Sequence, residues 1–142
     1  MQHLDVRDIG FIYKEKEDYD TALDYYQKSL VIWEKVFGAE HPNVETLYNN
    51  LGFVYAEKGD YATALDYFQK ALAILEKILD AEHPDLATSY NYIGVVYYHK
   101  GDYESALDYF QKALAIYEKV LGVDHPRTID SRNNIEETKS KL

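Results

Sequence analysis

The stretch Ala64–Ile74, ALDYFQKALAI, recurs without a single change at Ala106–Ile116. A third version, ALDYYQKSLVI, occupies Ala22–Ile32. Pro42, Pro84 and Pro126 keep the same spacing, each preceded by histidine (His41, His83 and His125). Self-similarity at a fixed period of this size is the mark of stacked supersecondary units, each too small to bury its apolar face alone. Such arrays present an extended surface rather than a catalytic pocket.

The middle copy, residues 42–83, shows what each unit is. Pro42 opens a helical pattern at a position where its missing N–H costs nothing. Tyr48, Leu51, Val54 and Tyr55 follow at helical spacing. Lys58-Gly59-Asp60 ends this first helix with a glycine suited to a left-handed cap. A second amphipathic run follows through Tyr61, Ala64, Leu65, Phe68, Leu72, Leu75 and Leu79, ending before the next His-Pro. The unit is a helix hairpin. Glycine inside a helix costs about 1 kcal/mol relative to alanine, so Gly10, Gly52 and Gly94 at one-period spacing call for a packing reason. With the small Ala64, Ala71, Ala106 and Ala113, they allow the two helices of a hairpin to approach closely.

Tyr48-x2-Leu51-Gly52-x2-Tyr55, Gly59-Asp60-Tyr61 and Ala64-x3-Phe68-x2-Ala71 resemble the tetratricopeptide (TPR) signature, which Tyr90, Ile93, Gly94, Tyr97, Gly101, Tyr103, Ala106, Phe110 and Ala113 repeat. Two features depart from it. Tyr48 and Tyr90 stand where the family often has tryptophan, and Glu34, Glu76 and Glu118 replace the proline that closes the second helix. The second helix then runs on, and the longer unit resembles the repeats of kinesin light chains and related bacterial TPR proteins. The resemblance implies an all-α fold, a right-handed α-solenoid of antiparallel helix hairpins. Residues 1–142 are expected to form a single domain, with repeats at about 1–41, 42–83 and 84–125 and a capping helix at 126–142. The first copy is degenerate, with Val6, Glu17 and Ser29 at signature places. In the last helix Arg132, Glu136 and Lys139 replace Tyr, Gly and Tyr, a polar exterior for the end of a stack. Ile129 and Ile135 are expected to hold it to the preceding hairpin.

Composition narrows the functional classes. The net charge of −10, with no basic cluster, argues against nucleic acid and anionic membrane surfaces as partners. No apolar run approaches the roughly 18 residues of a membrane span, and the N-terminus lacks the features of a secretory signal. Absence of cysteine removes disulfides and thiolate chemistry, and fits a reducing, cytoplasmic setting. No phosphate-binding glycine loop, HExxH or Gly-x-Ser-x-Gly is present, so neither an enzyme nor a cofactor is expected. The repeated histidines are helix-entry residues, too widely spaced on consecutive hairpins to share a metal. The fifteen tyrosines reflect a packing pattern repeated along the chain. Tyr61 and Tyr103 are expected to seal adjacent units. Tyr25, Tyr67 and Tyr109, if exposed, would make an apolar stripe.

In the TPR family the first helices line a concave groove. Carried onto this sequence, the groove holds Arg7, Phe11, Asn49, Asn50, Phe53, Asn91, Tyr92, Val95, Tyr98, Asn133 and Asn134. Side-chain amides donate to and accept from a peptide backbone, and aromatics supply contact area. The same asparagines could instead form a purely structural ladder between repeats. His99, beside Tyr98, is either a modulator of binding near neutral pH or an exposed bystander. The lysine–arginine–asparagine clamp by which some TPR domains hold a C-terminal carboxylate is not reproduced: Arg7 and Asn50 match, but Phe11, Thr88 and Tyr92 do not. The expected function is a non-catalytic adaptor that binds a linear peptide or partner helix, neutral to basic because of residues such as Asp8, Glu57 and Glu137. The alternative is a self-associating structural segment or spacer within a longer array.

Overall fold

Helix entry is set by one device used repeatedly. The Nδ1 atoms of His41, His83 and His125 accept the backbone N–H of Asn43, Asp85 and Arg127 at 3.0, 3.0 and 3.1 Å. Each histidine therefore does at the N-cap what serine or aspartate more often does, and the proline behind it takes the first helical position. The sequence reading of these histidines as entry residues describes their role in the structure.

The computed structural model describes residues 18–142, and among them the chain forms six α-helices and no strand. They are α1 (Tyr19–Phe37), α2 (Pro42–Glu57), α3 (Tyr61–Ile78), α4 (Pro84–Lys100), α5 (Tyr103–Val120) and α6 (Pro126–Lys139). Two compact units divide them. The described residues of one run from 18 to 78 and carry α1–α3; those of the other run from 79 to 142 and carry α4–α6.

The turns inside the α2–α3 and α4–α5 hairpins are the same. Gly59 and Gly101 sit at φ of 86° and 92°, the left-handed region that favours glycine. The next residue donates back five positions, Asp60 N to Tyr55 O and Asp102 N to Tyr97 O, both at 2.9 Å. Those aspartates then accept from Thr63 N (3.3 Å) and Ser105 N (3.2 Å) to start the second helix. Gly-Asp thus closes one helix and opens the next. The hairpins are antiparallel, since Glu40 ahead of α2 meets Lys77 in the last turn of α3 at 2.5 Å and Glu82 ahead of α4 pairs with Lys119 of α5. All four side chains are more than half exposed, so these pairs mark the geometry and contribute little to stability.

In the first unit Leu30, Val44, Leu47, Leu51 and Ile74 form the core, with Trp33, Tyr48, Tyr55 and Tyr67 packed around it. In the second, Ala87, Ala113 and Tyr117 form a buried cluster flanked by Tyr90, Ile116 and Leu121. The Tyr series on the second helices is not a continuous exposed stripe. Tyr25 is 66% exposed, but Tyr67 and Tyr109 stack at 5.7 Å on Tyr55 and Tyr97 of their own hairpins. Lys70 and Lys112 lie over those rings, at 5.3 and 5.1 Å from the centroids of Tyr67 and Tyr109.

Helix α6 is held differently from expectation. Ile135 is buried, whereas Ile129 stays 39% exposed. The buried side of α6 is instead Thr128, Ser131, Asn134 and Thr138 beside Ile135. Thr138 hides its polarity by donating to the carbonyl of Asn134 at 2.7 Å, one turn back. Arg132 ties the helix to the preceding loop by donating to Val123 O at 2.9 Å.

Candidate functional site

The expected contact residues separate by burial. On α2, Asn49 and Asn50 are half-buried, while Phe53 is only 8% exposed and lies edge-on to Phe68 at 5.1 Å. On α4, Tyr92 and Tyr98 are half-buried, whereas Asn91 (5% exposed) and Val95 (0%) are interior. On α6, Asn133 is exposed and Asn134 is buried. Arg7 and Phe11 lie outside the described residues. Asn49, Asn50, Tyr92, Tyr98 and Asn133 therefore keep accessible surface. Phe53, Asn91, Val95 and Asn134 are enclosed by packing within their own chain.

Asn91 shows why a polar residue is kept inside. The Tyr117 ring is buried, and its hydroxyl lies 2.7 Å from the Thr88 hydroxyl. Asn91, buried as well, lies beside the same hydroxyl. Burial pushes the Tyr117 pKa above its ordinary value, and Thr88 and Asn91, which together act to lower it, only partly counter this. Sequence reasoning missed this triad, although a signal was present. Leu75 and Trp33 occupy the place of Tyr117 in the other copies, so Tyr117 brings in a hydroxyl that needs a partner once buried. Asn49 behaves otherwise, donating its amide to Glu45 one turn back on α2.

Tyr98 carries a contact made by no other copy among the described residues. Its hydroxyl donates to Glu137 Oε2 of α6 at 3.0 Å, and Tyr103 meets its ring edge-on at 5.3 Å. Burial and the Glu137 carboxylate together push the Tyr98 pKa up to about 12. In sequence register Tyr98 replaces Ala56, and Glu137 replaces Phe53 and Val95. A carboxylate thus stands where the other first helices are apolar. Asn133 lies one turn before Glu137 on α6, and both are exposed.

No group of three His, Asp or Glu residues among the described ones is arranged to hold a metal. A shallow depression lined by Asp80, Ala81, Glu82, His83 and Pro84 surrounds the entry to α4, and His83 there is engaged in capping.

The profile of the tetratricopeptide repeat matches residues 3–77, 43–119 and 85–142, overlapping windows that run through almost the whole chain. The chain belongs to the tetratricopeptide repeat family. Its fold is that of known TPR arrays. A Podosopora anserina protein described as a putative kinesin light chain with nearly identical TPR-like repeats superposes with a TM-score of 0.80 at 21% identity, over 96% of this chain. A single-residue variant of that protein gives 0.79 at the same identity and coverage. BtubC (BKLC) from P. vanneervenii gives 0.74 at 20% identity over 95% of this chain. The TPR chain spans 64% of the length of the first two and 53% of the third. No curated protein matches it. TPR repeats are generally protein-interaction or scaffold modules and are typically not catalytic. No described helix is long and apolar enough to cross a membrane.

Proposed function

We propose that this TPR chain is a non-catalytic adaptor that binds a linear peptide or a partner helix through the outward side of its first helices. The observation that carries the reading is the accessible set on α4 and α6, Tyr98, Asn133 and Glu137. It combines an aromatic ring, a side-chain amide and a carboxylate on two neighbouring first helices. Tyr92, half-buried on α4, extends the contact surface. The net charge of −10 favours neutral to basic ligands.

The test is a displayed peptide library panned against the chain, with selected peptides re-bound to Asn133→Ala and Tyr98→Ala variants. Each substitution is expected to weaken binding, with the buried Asn91 serving no direct contact. Selected peptides that bind both variants as tightly as the parent would overturn the reading.

A second reading, a self-associating segment or spacer, is favoured by one observation. Helix α1 exposes Tyr25, Val31, Ile32 and Val36, each more than half accessible. Light scattering coupled to size exclusion distinguishes the two: mass that climbs with concentration supports self-association, and a constant 16.5 kDa excludes it.

A further inference from the structure

We infer that Tyr98 and Glu137 form a receptor for one basic side chain, a guanidinium or ammonium group, carried by the ligand. The inference rests on the peptide-binding reading above and names the chemistry at one end of that surface.

Three observations converge. The first concerns the carboxylate. Glu40, Glu82 and Glu118 are each met by a lysine or arginine, Lys77, Lys119 and Arg132. Glu137 has no such cation among the described residues. Its only side-chain bond there comes from a neutral donor, the Tyr98 hydroxyl, which takes Oε2 and leaves Oε1 to accept. The carboxylate is thus oriented without being neutralised.

The second is the ring. Tyr98 makes T-shaped contacts with Tyr103 at 73° and 5.3 Å and with His99 at 86° and 5.6 Å, which fix the direction of its ring. The ring is only half-buried, and the aromatic surface it keeps, next to the carboxylate, can hold a cation. Cations already choose tyrosine faces in this chain, as Lys70 and Lys112 do over Tyr67 and Tyr109. A carboxylate beside an aromatic face suits a guanidinium, which hydrogen-bonds in plane and stacks out of plane.

The third is register. Phe53 and Val95 hold the Glu137 place in the earlier copies and are buried there. The acidic exception falls on the helix that exposes it. Asn133, one turn away, is placed to take up the main chain beside the basic residue.

The probes are N-acetyl-arginine amide and its neutral isostere N-acetyl-citrulline amide, titrated into the isotopically labelled chain and followed by amide chemical shifts. The arginine probe is expected to shift residues 98, 133 and 137 with saturation. Citrulline should bind at least about tenfold more weakly, as expected on losing a charge-assisted pair. Glu137→Gln should abolish the difference between the probes, whereas Glu76→Gln, the same charge change at an exposed site on α3, should preserve it. Tyr98→Phe, which keeps the ring and releases the carboxylate, should retain the arginine preference, and Tyr98→Ala should lose most of it. Equal shifts by both probes, shifts spread evenly over the acidic surface, or equal effects of Glu137→Gln and Glu76→Gln would overturn the inference. If library peptides footprint on α4 and α6 while the two probes behave alike, only the basic-side-chain receptor falls. If no peptide footprints on any first helix, the adaptor reading falls with it.

Discussion

A β-carbon placed on Gly94 would lie 2.6 Å from the ring of Phe110, and one on Gly52 would lie 2.9 Å from Phe68. Real β-carbons do not approach that closely, so the hairpins depend on having no side chain at these two points. The intrinsic gain of alanine over glycine in a helix, about 1 kcal/mol, is opposed by overpacking of about 1–3 kcal/mol. Gly94→Ala is expected to destabilise the chain by about 1–2 kcal/mol net in urea unfolding, with Gly52→Ala costing less. An alanine at position 94 that stabilised the chain would show that the Phe110 ring yields freely.

The capping histidines give a second expectation. Replacing His83 by alanine leaves the Asp85 N–H without its side-chain acceptor and should cost about 1 kcal/mol. His83→Asn supplies an equivalent acceptor and should recover most of that loss. Thermal unfolding of the two variants side by side checks it; equal losses would mean that His83 acts through packing instead.

The buried Tyr117–Thr88–Asn91 group should respond in a non-additive way. Tyr117→Phe removes the 2.7 Å contact with the buried Thr88 hydroxyl, which keeps its bond to the Pro84 carbonyl at 3.3 Å, an expected loss of about 0.5–1.5 kcal/mol. Thr88→Val removes the same hydrogen bond from the other side. The double variant should be less damaging than the sum, since one partner of the 2.7 Å contact no longer waits for the other. Additive losses would mean that the contact contributes nothing.

Alkaline pH offers a test of Tyr98. Its folded-state pKa, about 12, lies above the ordinary 10.0. A tyrosine held neutral in the folded chain contributes stability that is fully present below pH 10 and is lost as pH rises toward about 12. Burial raises Tyr117 in the same direction. Absorbance titration should show a late-ionising tyrosinate that Tyr98→Phe removes, and the variant should lose less stability than the parent between those pH values. A Tyr98 that ionises with the exposed tyrosines would show that the Glu137 contact does not persist in solution.

The helices could be read from the sequence almost to the residue, because their signals are local. His-Pro, Gly-Asp and the spacing of Tyr48, Gly52 and Tyr55 act on the backbone within one turn, and each operates the same way wherever it recurs. The exposure of the expected binding residues could not be read in the same way. Asn49, Asn91 and Asn133 occupy one register position, yet they are half-buried, buried and exposed. Periodicity assigns them to one side of a helix, but not to the neighbours that cover that side.

The sequence alone determined the hairpin unit, its repetition and its caps, since these follow from backbone chemistry and short-range periodicity. It also determined the acidic charge. Only the tertiary structure decided which polar side chains face inward. Tyr117, far along the chain from Thr88, draws the Thr88 hydroxyl to its own, and α6 buries Thr128 where the other copies bury Val44 and Leu86. Tertiary packing also brought Glu137 to Tyr98, a contact 39 residues apart in the chain. Burial is a property of what packs against a residue, and that partner lies on another helix.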